Sequence, residues 1–102
     1  MDISTEGPTL VLTGDFDVRS TWEVRKALYA HLQGNRQDVF VDLSRVTAVD
    51  VTALKVLAMA TREASRSGRH LRLRGCGPAV RRMLHISRLI RVVEIERQTA
   101  NA

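Results

Sequence analysis

Apolar positions recur along this chain with two periods, two residues and about 3.6 residues, and the two take turns. Residues 9–13 (TLVLT) form a short β-branched run between the turn signals Gly7-Pro8 and Gly14, which predicts a strand. Residues 1–5 can pair with it as an edge strand. Ser20 and Glu23 stand at capping-box spacing, and Val24, Ala27, Leu28, His31 and Leu32 follow on one helical face until Gly34-Asn35. His31 has no ligand partner near it in sequence and reads as a rim histidine. The dense run VFVDL at 39–43 suits a strand covered on both faces or central in a sheet, and residues 44–50 read as a connection. From Val51 a helical pattern continues to about Ser67, with Leu54, Leu57, Ala58, Thr61 and Ala64 on one face and Gly68 as its stop.

The segment RHLRLR at 69–74 alternates: Leu71 and Leu73 fall on one side, His70, Arg72 and Arg74 on the other, as in a half-exposed strand. Gly75-Cys76-Gly77 turns the chain. Pro78 then opens a short helix through about His85, in which Val80, Met83, Leu84 and Ile86 can face inward. Residues 90–95 read as a last strand. The predicted order is β-β-α-β-α-β-α-β. Strand–helix–strand units need crossover connections, which favour parallel pairing. The expected fold is α/β, one domain over residues 1–102, with a mixed sheet and helices packed mainly on one face.

Composition narrows the function classes. A chain of 102 residues with 44% hydrophobic content can bury one modest core without metals or disulfides. The single cysteine, Cys76, cannot form an internal disulfide and reads as a small apolar side chain. Residues 1–7 carry Asp2 and Glu6 and resemble no secretory leader. No apolar run approaches the ~20 residues of a membrane span, so a cytoplasmic protein without direct membrane insertion is expected. The net charge of +5 comes largely from late arginines: Arg62, Arg66, Arg69, Arg72, Arg74, Arg81, Arg82, Arg88, Arg91 and Arg97. With aromatics at only 4% and no DNA- or RNA-binding motif, a solvated surface or an acidic protein partner is expected, not a sequence-reading nucleic-acid site.

No catalytic constellation stands out, and no enzyme activity is expected. The serines lack a Gly-x-Ser-x-Gly frame, His31, His70 and His85 share no metal-ligand spacing, and there is no phosphate-cradling glycine loop. No cofactor or metal is called for. Asp15, Asp17 and Asp50 could converge at one end of the sheet, although capping and solvation account for each singly. Asp50 can cap the central helix, which places Val51, Thr52 and Ala53 in its first turn, where free backbone N–H groups and the helix dipole favour negative charge. A hydroxyl there is a reasonable phosphoacceptor, but the pattern alone favours Thr52 as an ordinary tolerated first-turn residue.

Three stretches carry a resemblance: LVLTGDFDV (10–18), VFVDLSRVTAVDVTALKVL (39–57) and GPAVRRMLHISRLI (77–90). Taken together they resemble the STAS family, the fold of bacterial anti-sigma-factor antagonists. In that family an Asp-Ser-Ser-Gly or Asp-Thr-Ser-Gly motif opens the helix after the Asp-Leu-Ser strand. The hydroxyl after Asp is phosphorylated by the partner anti-sigma kinase, and the unphosphorylated form captures the anti-sigma factor and frees the sigma factor. Here Asp50 matches the aspartate, Val51 occupies the usual acceptor position, Thr52 stands next, and Ala53 replaces the glycine. Asp17 matches the acidic residue after the first motif, and Arg88 stands where glycine is common. The C-terminal helix frequent in the family is expected to be shortened or absent. The resemblance implies an anti-sigma factor or protein kinase as partner and leaves room for a homodimer. The residues expected to meet the partner are Asp17, Asp50, Val51, Thr52, Ala53, Lys55 and Met59, with Thr52 the remaining candidate acceptor. Two other readings stay open: a STAS subunit of another assembly, such as a lipid-transport ABC complex, and a small-ligand or nucleotide-binding module.

Overall fold

A computed structural model describes residues 1–96. Arg97 and the expected loss of the C-terminal helix fall on residues outside those described. The elements are β1 (Asp2–Glu6), β2 (Thr9–Phe16), α1 (Thr21–Gly34), β3 (Val39–Val49), α2 (Val51–Arg66), β4 (Leu71–Arg74), α3 (Pro78–Ile86), a short 3-10 turn (Leu89–Arg91) and β5 (Glu94–Ile95). This is the order that the periodicities predict. The strands lie β1-β2-β3-β4-β5, with β1 antiparallel to β2 and all other pairs parallel.

The core lies between the sheet and the helices. Leu10 and Leu12 of β2, Val41 and Leu43 of β3, and Leu71 and Leu73 of β4 meet Leu28 of α1, Leu54 and Leu57 of α2, and Leu84 of α3. All five residues assigned to the inner face of α2 are buried. Burying side chains of this size contributes about 1.5–3 kcal/mol each, so the apolar faces of the three helices dictate one layer of helix on one layer of sheet.

Six local expectations change. β3 is central but not covered on both faces: Val39, Val41 and Leu43 are buried, whereas Phe40 and Asp42 are half-buried on the other side. It also does not stop at Leu43. Asp42 Oδ1 accepts from the Ser44 N–H at 2.8 Å and from its hydroxyl at 2.7 Å, a local turn-like contact that mimics a connection. The strand passes through it and pairs on from Thr13↔Arg45 to Phe16↔Val49, with extra β3 residues accommodated as bulges. The capping box at Ser20 does not form. The Ser20 hydroxyl is occupied with Asp17, accepting from its N–H at 3.2 Å and lying 3.1 Å from its carbonyl oxygen. His31 is buried, not at the rim, with its Nε2 2.8 Å from the Pro8 carbonyl oxygen. Ile86 is 68% exposed instead of facing inward. Finally, residues 90–93 are not strand: the N–H groups of Val92 and Val93 both turn back to the Leu89 carbonyl, which leaves a ladder of only Arg72↔Glu94 and Leu73↔Ile95.

Candidate functional site

The parallel strands β2 and β3 end side by side, and the loops that follow them meet at Asp50. This residue is extended (φ −118°, ψ 173°), as an N-cap should be, and its Oδ1 accepts the Ala53 N–H at 2.8 Å. Its Oδ2 accepts the Val18 N–H at 3.0 Å from the loop between β2 and α1. One carboxylate therefore fixes both the start of α2 and the neighbouring loop.

The first turn of α2 presents its side chains in three directions. Val51 is half-buried, Thr52 is exposed, and Ala53 is fully buried. Ala53 thus faces the core, and its N–H is spent on the cap. Lys55 and Met59 continue the Val51 direction at i, i+4 and i+8; Lys55 is exposed and Met59 is 55% exposed. Met59 therefore does not pack beneath a neighbouring helix.

Asp15, Asp17 and Asp50 do gather at this end of the molecule, and each carboxylate already has partners. Asp15 accepts the Thr47 hydroxyl at 2.7 Å. Asp17 pairs with Arg19 at 2.7 Å and also accepts the Arg19 N–H at 3.0 Å, and these bonds hold its carboxyl below the usual carboxylate range. No cluster of three or more His, Cys, Asp or Glu residues able to hold a metal is found among the described residues. Burial pushes the Cys76 thiol up, which keeps it protonated and a poor nucleophile.

Two exposed apolar residues beside this site escaped the sequence reading. Val18 is 61% exposed in the loop tethered to Asp50, and Trp22 is 69% exposed in the first turn of α1. An open groove of about 640 Å³ runs between α1 and α2, lined by Trp22, Arg25, Lys26, Tyr29 and Glu63. Lys26 Nζ lies 6.0 Å from the Trp22 ring centre, and the Arg25 guanidinium 5.8 Å from that of Tyr29. The available signal was Trp22's place on the helix: it falls off the Val24–Leu28–Leu32 face, and a tryptophan left on a polar helix face is uncommon enough to notice.

The arrangement is that of a small α/β domain whose exposed large apolar residues are Val18 before α1, Trp22 on α1, Met59 on α2 and Ile86 on α3. A family model described as Mlab, STAS domain, matches residues 1–94, and the chain belongs to the STAS domain family. Solved structures share the fold. A candidate anti-sigma factor antagonist from Thermotoga maritima matches with a TM-score of 0.77 at 20% identity, over 97% of this chain and 87% of that one. The Bacillus cell fate determinant SpoIIAA in its phosphorylated form matches with a TM-score of 0.66 at 17% identity, over 95% and 91%. A sulfate transporter family protein from Wolinella succinogenes matches with a TM-score of 0.66 at 19% identity, over 81% and 67%. Identities this low carry the fold and not the function. None of the curated proteins matches the sequence. Among the described residues, no helix is long and apolar enough to cross a membrane.

Proposed function

We propose that this domain is a regulatory protein-binding module of the anti-sigma-factor-antagonist type, without catalytic activity. Its docking surface runs from the loop at Val18 across the start of α2 to Met59. The observation that carries this reading is the stripe of half-buried Val51 and exposed Lys55 and Met59, which begins at the Asp50-capped helix N-terminus. Exposed apolar side chains grouped around a lysine favour a partner contact over a solvated face. Trp22 extends the same surface on α1, and aromatic residues of this kind are enriched among binding hot spots.

Phosphate control at the usual position is lost in this reading, because Val51 has no hydroxyl to accept it. Thr52 lies one residue on, about 100° around the helix, and phosphoryl transfer tolerates little misplacement of the attacking oxygen. The domain is then constitutively competent to bind or controlled by another route. Incubation with its anti-sigma kinase and ATP, followed by intact-mass and peptide analysis, tests this. The expected result is no rapid phosphate on the wild-type chain and faster transfer to Val51→Ser. Rapid stoichiometric phosphate on Thr52, abolished by Thr52→Ala and accompanied by loss of partner binding, overturns it.

A second reading keeps the docking surface and changes the partner: a STAS subunit of a transport assembly. The shared fold with a sulfate transporter family protein supports it. Co-purification from the source cell separates the two, by recovery of a histidine-kinase-like protein or of a transport ATPase.

A further inference from the structure

Strand β1 is the antiparallel edge of the sheet, and among the described residues its outer backbone groups have no neighbouring strand. An open edge of five residues is a template for another strand, and proteins usually cover or disfavour it. Among the described residues no strand pairs with it. Beside it lies a groove of about 430 Å³, walled by Ile3 and Thr5 of β1 and by Ala27, Ala30 and Gly34 of α1, with Leu10 at its base. The small α1 residues leave open the space that a larger side chain would fill.

The two faces of β1 differ in chemistry. Ile3 and Thr5 stand opposite Leu12 and Leu10 of β2 and share their helix-facing side, so by the two-residue period Asp2, Ser4 and Glu6 fall on the other face, although Ser4 also touches the groove. Asp2 and Glu6 are exposed, and among the described residues neither takes part in an ion pair. A second copy of this chain is a poor occupant. Symmetric antiparallel pairing about Ser4 sets Asp2 of one copy opposite Glu6 of the other, and like charges directly opposite are destabilising. The same carboxylates favour basic residues at those positions.

We infer that the outer edge of β1 and the groove beside α1 form a second binding site, one that takes an extended peptide with alternating basic and small apolar residues. The peptide adds to the sheet as a sixth strand. Its backbone satisfies the β1 edge, its apolar side chains enter the groove, and its cations face Asp2 and Glu6. This inference is independent of the function proposed for the start of α2.

Fluorescence anisotropy with the full chain and a labelled peptide of about eight residues, alternating arginine and valine, tests it. Saturable binding is expected, with slowed amide exchange confined to β1 and to the peptide. N-methylation of alternate peptide residues keeps the charge and removes edge hydrogen bonds, and it should weaken binding at least tenfold. The double variant Asp2→Lys, Glu6→Lys should weaken it about three- to tenfold, as expected for two cross-strand charge pairs. Circular dichroism on that variant verifies folding, since both positions are exposed. Equal binding of the N-methylated peptide, or of a peptide alternating glutamate and valine, overturns the inference. So does a dimer of the free protein that the peptide dissociates, because the edge then belongs to a second copy.

Discussion

Arg88 is the only non-glycine residue among those described with a left-handed backbone, φ 66°. It sits just past α3, where its N–H bonds the His85 carbonyl at 3.1 Å and turns the chain toward Leu89. A side chain there crowds its own backbone by about 1–2 kcal/mol, whereas glycine adopts the conformation freely. Arg88→Gly should therefore raise stability by about 1 kcal/mol, and the melting temperature by roughly 4–8 °C, in a thermal melt. A lower melting temperature would mean that the arginine side chain contributes more than its backbone costs. The family resemblance marked this position as one where glycine is usual; the strain itself depends on a dihedral angle that no residue identity reports. Legibility at the start of α2 divides the same way. The Asp50 cap followed from residue type and spacing. Its second bond, to the Val18 N–H 32 residues away, depends on two strand ends meeting and left no local pattern. The buried position of Ala53 likewise follows from the seating of α2 on the sheet.

Among the elements, β3 departs furthest from its sequence pattern. Residues 44–49 lose the alternation of 39–43 because the bulges disturb the two-residue period, so a strand that continues reads as a loop. The turn after β4 is fitted to this irregular stretch. Gly75 has φ 70°, and a Cβ there would lie 2.8 Å from Ser44 Cβ and 3.1 Å from Asp42 Oδ1. Gly75→Ala should combine left-handed strain with overpacking and cost about 2–4 kcal/mol, measured by urea denaturation. A loss below half a kilocalorie would show that the turn relaxes away from β3. The helices were the most legible elements, since a buried face repeated over four turns, as in α2, outweighs any single residue. The last strand was the least, because an apolar run as short as residues 90–95 serves a tight turn as well as a ladder.

For the whole molecule, the one-layer arrangement leaves a sheet face open to solvent, and charge covers it. The Arg74 guanidinium lies 4.2 Å from the Phe40 ring centre, bonds both Glu96 oxygens at 2.8 Å, and donates to the Thr9 hydroxyl at 3.0 Å. Alongside, Arg72 meets Asp38 at 3.3 Å and Glu94 at 3.8 Å. Part of the late positive charge is thus used within the fold, which a count of arginines cannot reveal. Arg74 holds the Glu96 carboxyl below its usual range, as Arg19 holds that of Asp17. A carboxylate with a depressed folded-state pKa contributes stability that is present above its unfolded value and lost as pH falls through the folded one. Stability should therefore decline as pH drops below about 4. The double variant Asp17→Asn, Glu96→Gln should decline less between about pH 6 and pH 3 in urea midpoints; an identical decline would remove these pairs from the account. The central claim, a docking surface at the start of α2, is tested most directly by titration calorimetry of the wild type and Met59→Glu against the partner recovered by co-purification. Met59 is exposed, so the variant should melt as the wild type does and bind at least tenfold more weakly. An unchanged affinity in a normally folded variant would contradict the assignment of this surface.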